Sequence, residues 1–270
     1  MSQRMVITGA SGHFGRVTAV RAAKAGWDVV GTYLTNATDA AERLDIRDRD
    51  AVDELIARVR PGVVVHTAAG RDDWQVIADG AAHVAVAAVR HGARLVHLSS
   101  EAVFSGKEIT YDEDARPDPI YRYGAAKAAG ETAVRAVDPR AAVVRTSLIV
   151  GHGLGGHERL THDLVAGRAG GLLFTDQIRK PIHVDDLADA VLELAVNGYA
   201  GVLNVAGADV ISRYELGVLV ARRDGLDPER IPHGPIPAGL AVPADLRLTI
   251  DRAAALLETR LRGCHEFMRL

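Results

Sequence analysis

The chain holds one cysteine, Cys264, in 270 residues, so an intrachain disulfide and a cysteine-based zinc site are both excluded. Charge of neither sign is in excess. A net charge of −3 and a pI near 6.4 give no electrostatic case for a nucleic-acid partner, and there is no basic tract to supply one. No apolar run reaches membrane-spanning length, and Met1-Ser2-Gln3-Arg4 leads into the first apolar run without a signal-peptide core, so a cytoplasmic protein with no membrane partner is expected. Internal repeats and long disordered linkers are absent as well. What remains is an ordinary globular composition, 48% hydrophobic and 25% charged, long enough for one full α/β core and a smaller lobe.

Short β-branched runs alternate with longer alanine-rich helical patterns, which argues for βαβ units on a parallel sheet covered on both faces. Strands are predicted at 4–8, 27–33, 62–68, 94–99 and 142–148, with an edge strand around Arg43-Leu44-Asp45-Ile46. Helices are predicted at 14–25, 48–60, 73–91 and 121–137. After residue 150 the rhythm loosens into a Gly/His-rich loop, a helix near 157–168, Leu172-Leu173-Phe174 and a helix from Asp185. From Gly207 on the chain reads as helical or Pro-rich, with a constrained loop at Ile231 to Pro237. The expected fold is an α/β Rossmann fold, a doubly wound parallel sheet with a small C-terminal substrate-binding lobe. Residues 1–150, rejoined by 180–205, would form the NAD(P)-binding domain, and 151–179 with 206–270 the lobe.

Two motifs carry chemistry. Gly9-Ala10-Ser11-Gly12-His13-Phe14-Gly15 follows the apolar run Met5-Val6-Ile7 and precedes Val17 and Val20, so it sits where a strand hands over to a helix. In that context glycines allow a tight turn, close approach of backbone amides to a pyrophosphate and close helix-on-strand packing. The helix N-terminus adds unpaired donors and its positive dipole end. About 110 residues on, Tyr123 and Lys127 stand four apart and so share one helix face. A phenol titrating near 10 is a poor acid at neutral pH unless an ammonium stabilises its phenolate, and Lys127 is placed to do so. Ser100, at the end of the predicted strand at 94–99, would hold a substrate oxygen for proton transfer.

These segments resemble the extended short-chain dehydrogenases/reductases, and within them the sugar-nucleotide-binding branch of the dTDP-4-dehydrorhamnose reductases. The resemblance runs through Thr8 to Gly15, Leu44 to Ile46, Val65 to Ala69, Leu98 to Gly106, Tyr111 to Glu113, Tyr123 to Glu131, Arg145 to Ser147, Pro181 to Ala188 and Asn204 to Gly207. It implies Ser100, Tyr123 and Lys127 as the catalytic triad. It also implies cofactor contacts from Gly9, Ser11, Gly12, His13, Phe14, Gly15, Arg16, Asp45, Ile46, Thr67, Ala68, Ala69, Tyr123, Lys127 and Thr146. Asp45 and Ile46 would border the adenine, and His66 to Ala69 would line the groove. Tyr121 is the competing tyrosine, but no lysine stands four residues after it. Two positions depart from the branch: Ala102 and Leu148 stand where an aromatic residue and a tryptophan are usual, which changes the shape and stacking surface of a sugar pocket.

Cofactor choice is read at the end of the second predicted strand, where an NAD site places an acid on the ribose 2′-hydroxyl. Gly31 to Asn36 contains none, and His13 and Arg16 stand near the glycine turn, so NADP(H) is expected, with NAD(H) second. His152, His157 and His162 recur every five residues, the wrong spacing for one helix face, and no cysteine joins them. No metal is expected. His157 and Arg159 read instead as phosphate or substrate contacts, and Asp185 as an N-terminal cap or charge on the helix that follows His183. The expected function is an NADP(H)-dependent ketoreductase acting on a nucleotide-activated deoxysugar or related small molecule. The alternatives are a non-catalytic regulatory subunit, similar to the methionine adenosyltransferase β subunit, and a nucleotide-sugar epimerase or dehydratase. A homodimer is implied by the resemblance only.

Overall fold

A computed structural model of the chain describes residues 4–37, 41–70 and 73–269; Met1 to Gln3, included in the reading of the N-terminus, lie outside it. Seven parallel strands form the central sheet: β1 (Arg4–Thr8), β2 (Asp28–Tyr33), β3 (Ala41–Arg43), β4 (Val63–His66), β5 (Arg94–Leu98), β6 (Ala142–Thr146) and β7 (Gly201–Val205). Their spatial order is 3-2-1-4-5-6-7, the doubly wound arrangement in which strand order reverses between β1 and β4. β4 is buried at all four positions, as a strand covered on both faces must be, and so reads as an unbroken Val-Val-Val run.

Helices α1 (His13–Lys24), α2 (Arg49–Val59), α3 (Gly80–Arg90), α4 (Arg122–Val137), α5 (Gly156–Val165) and α6 (Val184–Val196) follow in chain order. α2 illustrates the local logic. Asp48 caps it, accepting from the amides of Asp50 and Ala51 at 3.1 Å, and Val52, Leu55, Ile56 and Val59 make one buried stripe. α1 and α6 cover one face of the sheet with a cluster that includes Met5, Ile7, Val65, Leu187 and Leu203; α2, α3 and α4 cover the other around Val6, Val64, Leu95 and Val143.

Two predicted elements differ. The helix expected over 73–91 divides into a π-helical turn at Gln75–Asp79 and α3, with the Gly80 amide bonding the Gln75 carbonyl five residues back. A Cβ on Gly80 would come within 2.7 Å of Ile46 Cδ1, so this seam is packed hard against the segment after β3. The edge strand expected around 43–46 lies at Ala41–Arg43 instead, because Leu44 and Ile46 turn into the core beneath α2 and α3.

The rest of the chain builds a cover from short two-residue pairings. Ile178–Arg179 pairs with Ile211–Ser212, Leu173–Phe174 with His233–Gly234, and Thr110–Tyr111 with Arg247–Leu248. The loop at 231–237 is thereby partly strand. α7 (Arg213–Arg223) starts in a capping box in which Ser212 and Glu215 bond each other's backbone amides. It packs on α5 through Leu164, Val165, Leu173, Ala221 and Ile231. α8 (Asp251–Leu256) and α9 (Cys264–Phe267) close the chain; just before α9, Arg262 forks onto Asp186 of α6 at 2.6 to 3.1 Å.

Candidate active site

Two cavities meet over the carboxyl ends of β1 and β4, at the reversal of strand order, and share Thr67 and Ala69. One, of about 410 Å³, is lined by Gly9, Ser11, Gly12, Thr32 to Asn36, Leu44, Ile46, Thr67 to Gly70, Asp73 and Val76. The other, of about 550 Å³, holds His13, Phe14, Ser100, Glu101, Tyr121, Tyr123, Lys127 and Thr146 beneath the cover.

The glycine turn is a cradle that only this composition allows. Gly9 has φ of +73°, and a Cβ on Gly15 would stand 2.3 Å from the Gly9 carbonyl oxygen, so a side chain there closes the turn. Gly12 caps α1 without a side-chain hydrogen bond, and no acid lies in the first turn, so the amides are left for an anion. Both ring nitrogens of His13 and the hydroxyl of Thr146 are buried without protein partners. These features fit a dinucleotide, which Gly9, Gly12, Leu44 and Ile46 in the smaller cavity and His13 and Thr146 in the larger would hold.

The three residues of the proposed triad come from different elements. Ser100 follows β5 and caps a 3₁₀ turn at Glu101–Val103, its Oγ accepting from the Ala102 amide at 3.2 Å. Tyr123 and Lys127 lie on the first two turns of α4. Gly124 sets how closely that helix seats, since a Cβ there would stand 2.0 Å from the Ala102 carbonyl oxygen. Gly124→Ala is therefore expected to push Tyr123 away from Ser100, costing roughly 1–3 kcal/mol of stability by overpacking and at least about tenfold in kcat by misplacement. Thermal denaturation and steady-state rates on the variant check both, and unchanged kcat would show that the contact does not position the phenol.

Burial pushes the Tyr123 phenol up from its usual value, and a hydrogen bond with Ser100 pulls it back. Lys127 Nζ stands 6.0 Å from the Tyr123 ring centre and donates to the Leu98 carbonyl at 3.1 Å. Burial lowers the Lys127 ammonium to about 8, opposed by the charge of Glu131. The expected lowering of the phenol by Lys127 is not found: burial, with the charge of Glu101 added to it, raises the phenol, and Ser100 is the group that opposes them. Glu131 is 2% exposed. It accepts from Arg145, which is 1% exposed, at 2.8 Å and from Ser99 Oγ at 2.5 Å.

Of the expected cofactor residues, Gly9, Ser11, Gly12, Ile46, Thr67, Ala68 and Ala69 line the smaller cavity, and His13, Phe14, Tyr123, Lys127 and Thr146 the larger. Three do not line either. Gly15 packs beneath the turn, Arg16 is exposed on α1, and Asp45 turns away to Arg47, whose guanidinium grips it at 2.6 to 3.1 Å. His13, offered with Arg16 as a sign of NADP(H), faces the larger cavity rather than the end of β2. His66, expected in the groove, is buried below it, bonded to Thr8 Oγ1 at 2.7 Å and stacked on His97 at 5.2 Å.

The histidine series separates. His152 donates to Asp185 at 2.9 Å, His162 bonds Asp224 at 2.7 Å, and His157 accepts from Arg213 at 2.6 Å. His152, His183 and Asp185 do bring one donor atom each within 4.8 Å of one another, a grouping that the five-residue spacing does not announce; Arg21 also faces Asp185, at 3.6 Å. The cap of α6 is His183, which accepts from the Asp185 amide, so Asp185 contributes first-turn charge rather than the cap. Arg159 bonds the Leu154 carbonyl and lines neither cavity. Residues that the sequence reading passed over, Glu101, Gln177, Arg179 and Arg213, all line the larger cavity.

The family model described as the RmlD substrate binding domain matches residues 3–266. A dTDP-4-dehydrorhamnose reductase of Mycobacterium tuberculosis is 36% identical over 248 residues, covering 85% of this chain and 78% of that protein. Methionine adenosyltransferase 2 subunit beta of Rattus norvegicus is 30% identical over 82% of this chain and 72% of its own. A crystal structure of dTDP-4-dehydrorhamnose reductase from Bacillus anthracis, in complex with NADP, superposes with a TM-score of 0.84 at 26% identity, over 99% of this chain and 98% of that one. With its seven-stranded sheet and its sequence matched almost from end to end, the chain belongs to the RmlD-like family of extended short-chain dehydrogenases/reductases.

Proposed function

We propose that the protein is an NADP(H)-dependent reductase that converts a keto group of a nucleotide-linked sugar, or of a related small molecule, to an alcohol. The observation that carries this reading is the convergence of Ser100, Tyr123 and Lys127 on one 550 Å³ cavity that joins the glycine-turn cavity at Thr67 and Ala69. When bound, the nicotinamide supplies a hydride to the carbonyl carbon. Ser100 Oγ holds the carbonyl oxygen, and the Tyr123 hydroxyl donates the proton that the oxygen takes up as charge develops on it. Lys127 places positive charge beside the phenolate left behind, favouring its formation over that in an uncharged apolar pocket.

The second-strand end supports NADP(H), since Thr35 and Asn36 offer polar groups there and no acid occurs in Gly31 to Asn36; the related reductase of Bacillus anthracis was solved with NADP. Initial rates should favour NADPH over NADH by about tenfold or more, on the order of one charge-assisted hydrogen bond. A strong preference for NADH sinks the assignment. In the same proposal residues 1–150 with 180–205 bind cofactor and 151–179 with 206–270 shape the substrate end. The protein is taken as a cytoplasmic homodimer, which light scattering on the purified protein tests; among the described residues no helix is long and apolar enough to cross a membrane.

The deciding experiment is NADPH consumption against a panel of nucleotide-linked 4-keto-6-deoxysugars. The likeness to methionine adenosyltransferase 2 subunit beta favours a second reading, a non-catalytic cofactor-binding subunit. Cofactor binding with no turnover on any carbonyl, together with a copurifying partner chain, would move the assignment there.

A further inference from the structure

The larger cavity holds more charge than proton transfer to a carbonyl requires. Glu101, next in sequence to Ser100, is buried, and its Oε1 lies 3.2 Å from Arg179 Nε. The rest of the Arg179 guanidinium is spent on backbone: Nη1 donates to the Ile178 and Ala244 carbonyls at 2.6 and 3.1 Å, and Nη2 to that of Pro243 at 2.7 Å. Arg179 thus fixes the wall of the cavity, and Glu101, whose carboxyl burial pushes up to about 7, stands beside it.

Arg213 has no carboxylate of its own: the acid whose charge reaches it is Glu101, already paired with Arg179. Arg213 occupies the first position of α7, and its Nη1 donates to His157 Nδ1 at 2.6 Å; among the described residues it makes no ion pair. Burial pushes the His157 imidazole down to about 3, so the ring is neutral and accepts at Nδ1. It orients the guanidinium without cancelling its charge. Two guanidiniums against one carboxylate leave a positive excess among side chains that are buried or partly buried, an arrangement that costs free energy until an anion arrives. The same cavity is lined by Ala102 and Leu148, where the branch usually presents aromatic walls, so it offers an ionic hold where stacking is reduced.

We propose that Arg213, aimed by His157, is a specificity-determining residue that binds an oxyanion of the substrate, either a diphosphate oxygen of the nucleotide or a carboxylate on the reacting molecule. The planar fork of arginine suits either group, which a lysine would hold as a point charge only. The proposal rests on the reductase reading for the kind of molecule concerned, but not for whether turnover occurs.

The test is equilibrium binding by calorimetry to the NADP⁺-loaded protein, comparing wild type with Arg213→Gln and Arg213→Lys. The probes are thymidine diphosphate, UDP-glucose and UDP-glucuronate. If the anion is the diphosphate, Arg213→Gln weakens all three by at least tenfold, and Arg213→Lys recovers part of the loss. If it is a carboxylate, UDP-glucuronate alone weakens by that factor. Equal affinities within twofold for every probe overturn the proposal, as does failure of the wild type to bind any of them. Unchanged NADP⁺ affinity in both variants shows that the fold is intact. A protein that binds these probes through Arg213 yet never consumes NADPH would defeat the reductase reading and leave this one standing.

Discussion

Tyr123→Phe is expected to lower kcat by about 10³-fold while NADPH affinity stays within about twofold, because the phenol's proton is the group removed and general acid catalysis contributes on the order of 10²–10⁴. The ring sits against Ser100 and Tyr121, and phenylalanine keeps its volume and apolar contacts. Lys127 keeps its bond to the Leu98 carbonyl and does not depend on the hydroxyl for its place. A fall in kcat with unchanged KM identifies an interaction made in the transition state. NADPH absorbance reports turnover, and quenching or enhancement of its fluorescence reports binding. Retained turnover would mean that the proton comes from elsewhere, and Tyr121, in the same cavity, would be the next residue to change.

The largest stability effect is expected at Glu131, one helical turn beyond Lys127. Its carboxylate takes two nitrogens of Arg145, Nε at 3.0 Å and Nη2 at 2.8 Å, with both side chains almost wholly buried. Glu131→Gln leaves the Arg145 guanidinium inside the protein with backbone carbonyls and the face of Phe104 for company, and with Lys127 as a second buried cation. Breaking such a pair from one side costs about 3–5 kcal/mol. Urea denaturation should show that loss. The double variant Glu131→Gln/Arg145→Met, which removes the stranded charge, should recover most of it. Because Glu131 also pulls the Lys127 ammonium upward, the single variant should lose the charged form of Lys127 at a lower pH than the wild type, and with it the basic limb of the activity profile. A Glu131→Gln protein of wild-type stability would show that water reaches Arg145.

The central sheet was legible because each strand is a short β-branched run between helical patterns, and burial on both faces enforces that composition. β4 could hardly be read otherwise. The π-helical turn before α3 was not legible, since it answers to the fit of Gly80 against Ile46, 34 positions away and invisible to periodicity. The gathering of Ser100, Tyr123 and Lys127 could be expected from a strand end and a four-residue spacing. Asp45 could not be placed, because its partner Arg47 lies on the same loop and either could have turned inward. Glu101, Arg179 and Arg213 were missed for a related reason. A charged residue in sequence reads as a solvated one, and nothing in Ser212-Arg213-Tyr214-Glu215 beyond a capping box tells that its arginine closes over a cavity built from residues 13 to 246.

The order in which the polypeptide is made gives that cavity a timetable. At about 5–20 residues per second, N-terminus first, the strands from β1 to β6 are complete seconds before Arg213 and the Pro243 to Leu246 wall have been translated. Until residues 201–205 are made β6 is an open edge, because β7 is the strand that pairs with it. The Arg262 fork onto Asp186 arrives later still. A nascent chain therefore passes through an interval with six strands of the sheet made, an unsatisfied sheet edge and no roof. That interval is when chaperones, or early cofactor capture at the glycine turn, have the most influence on the yield of folded protein.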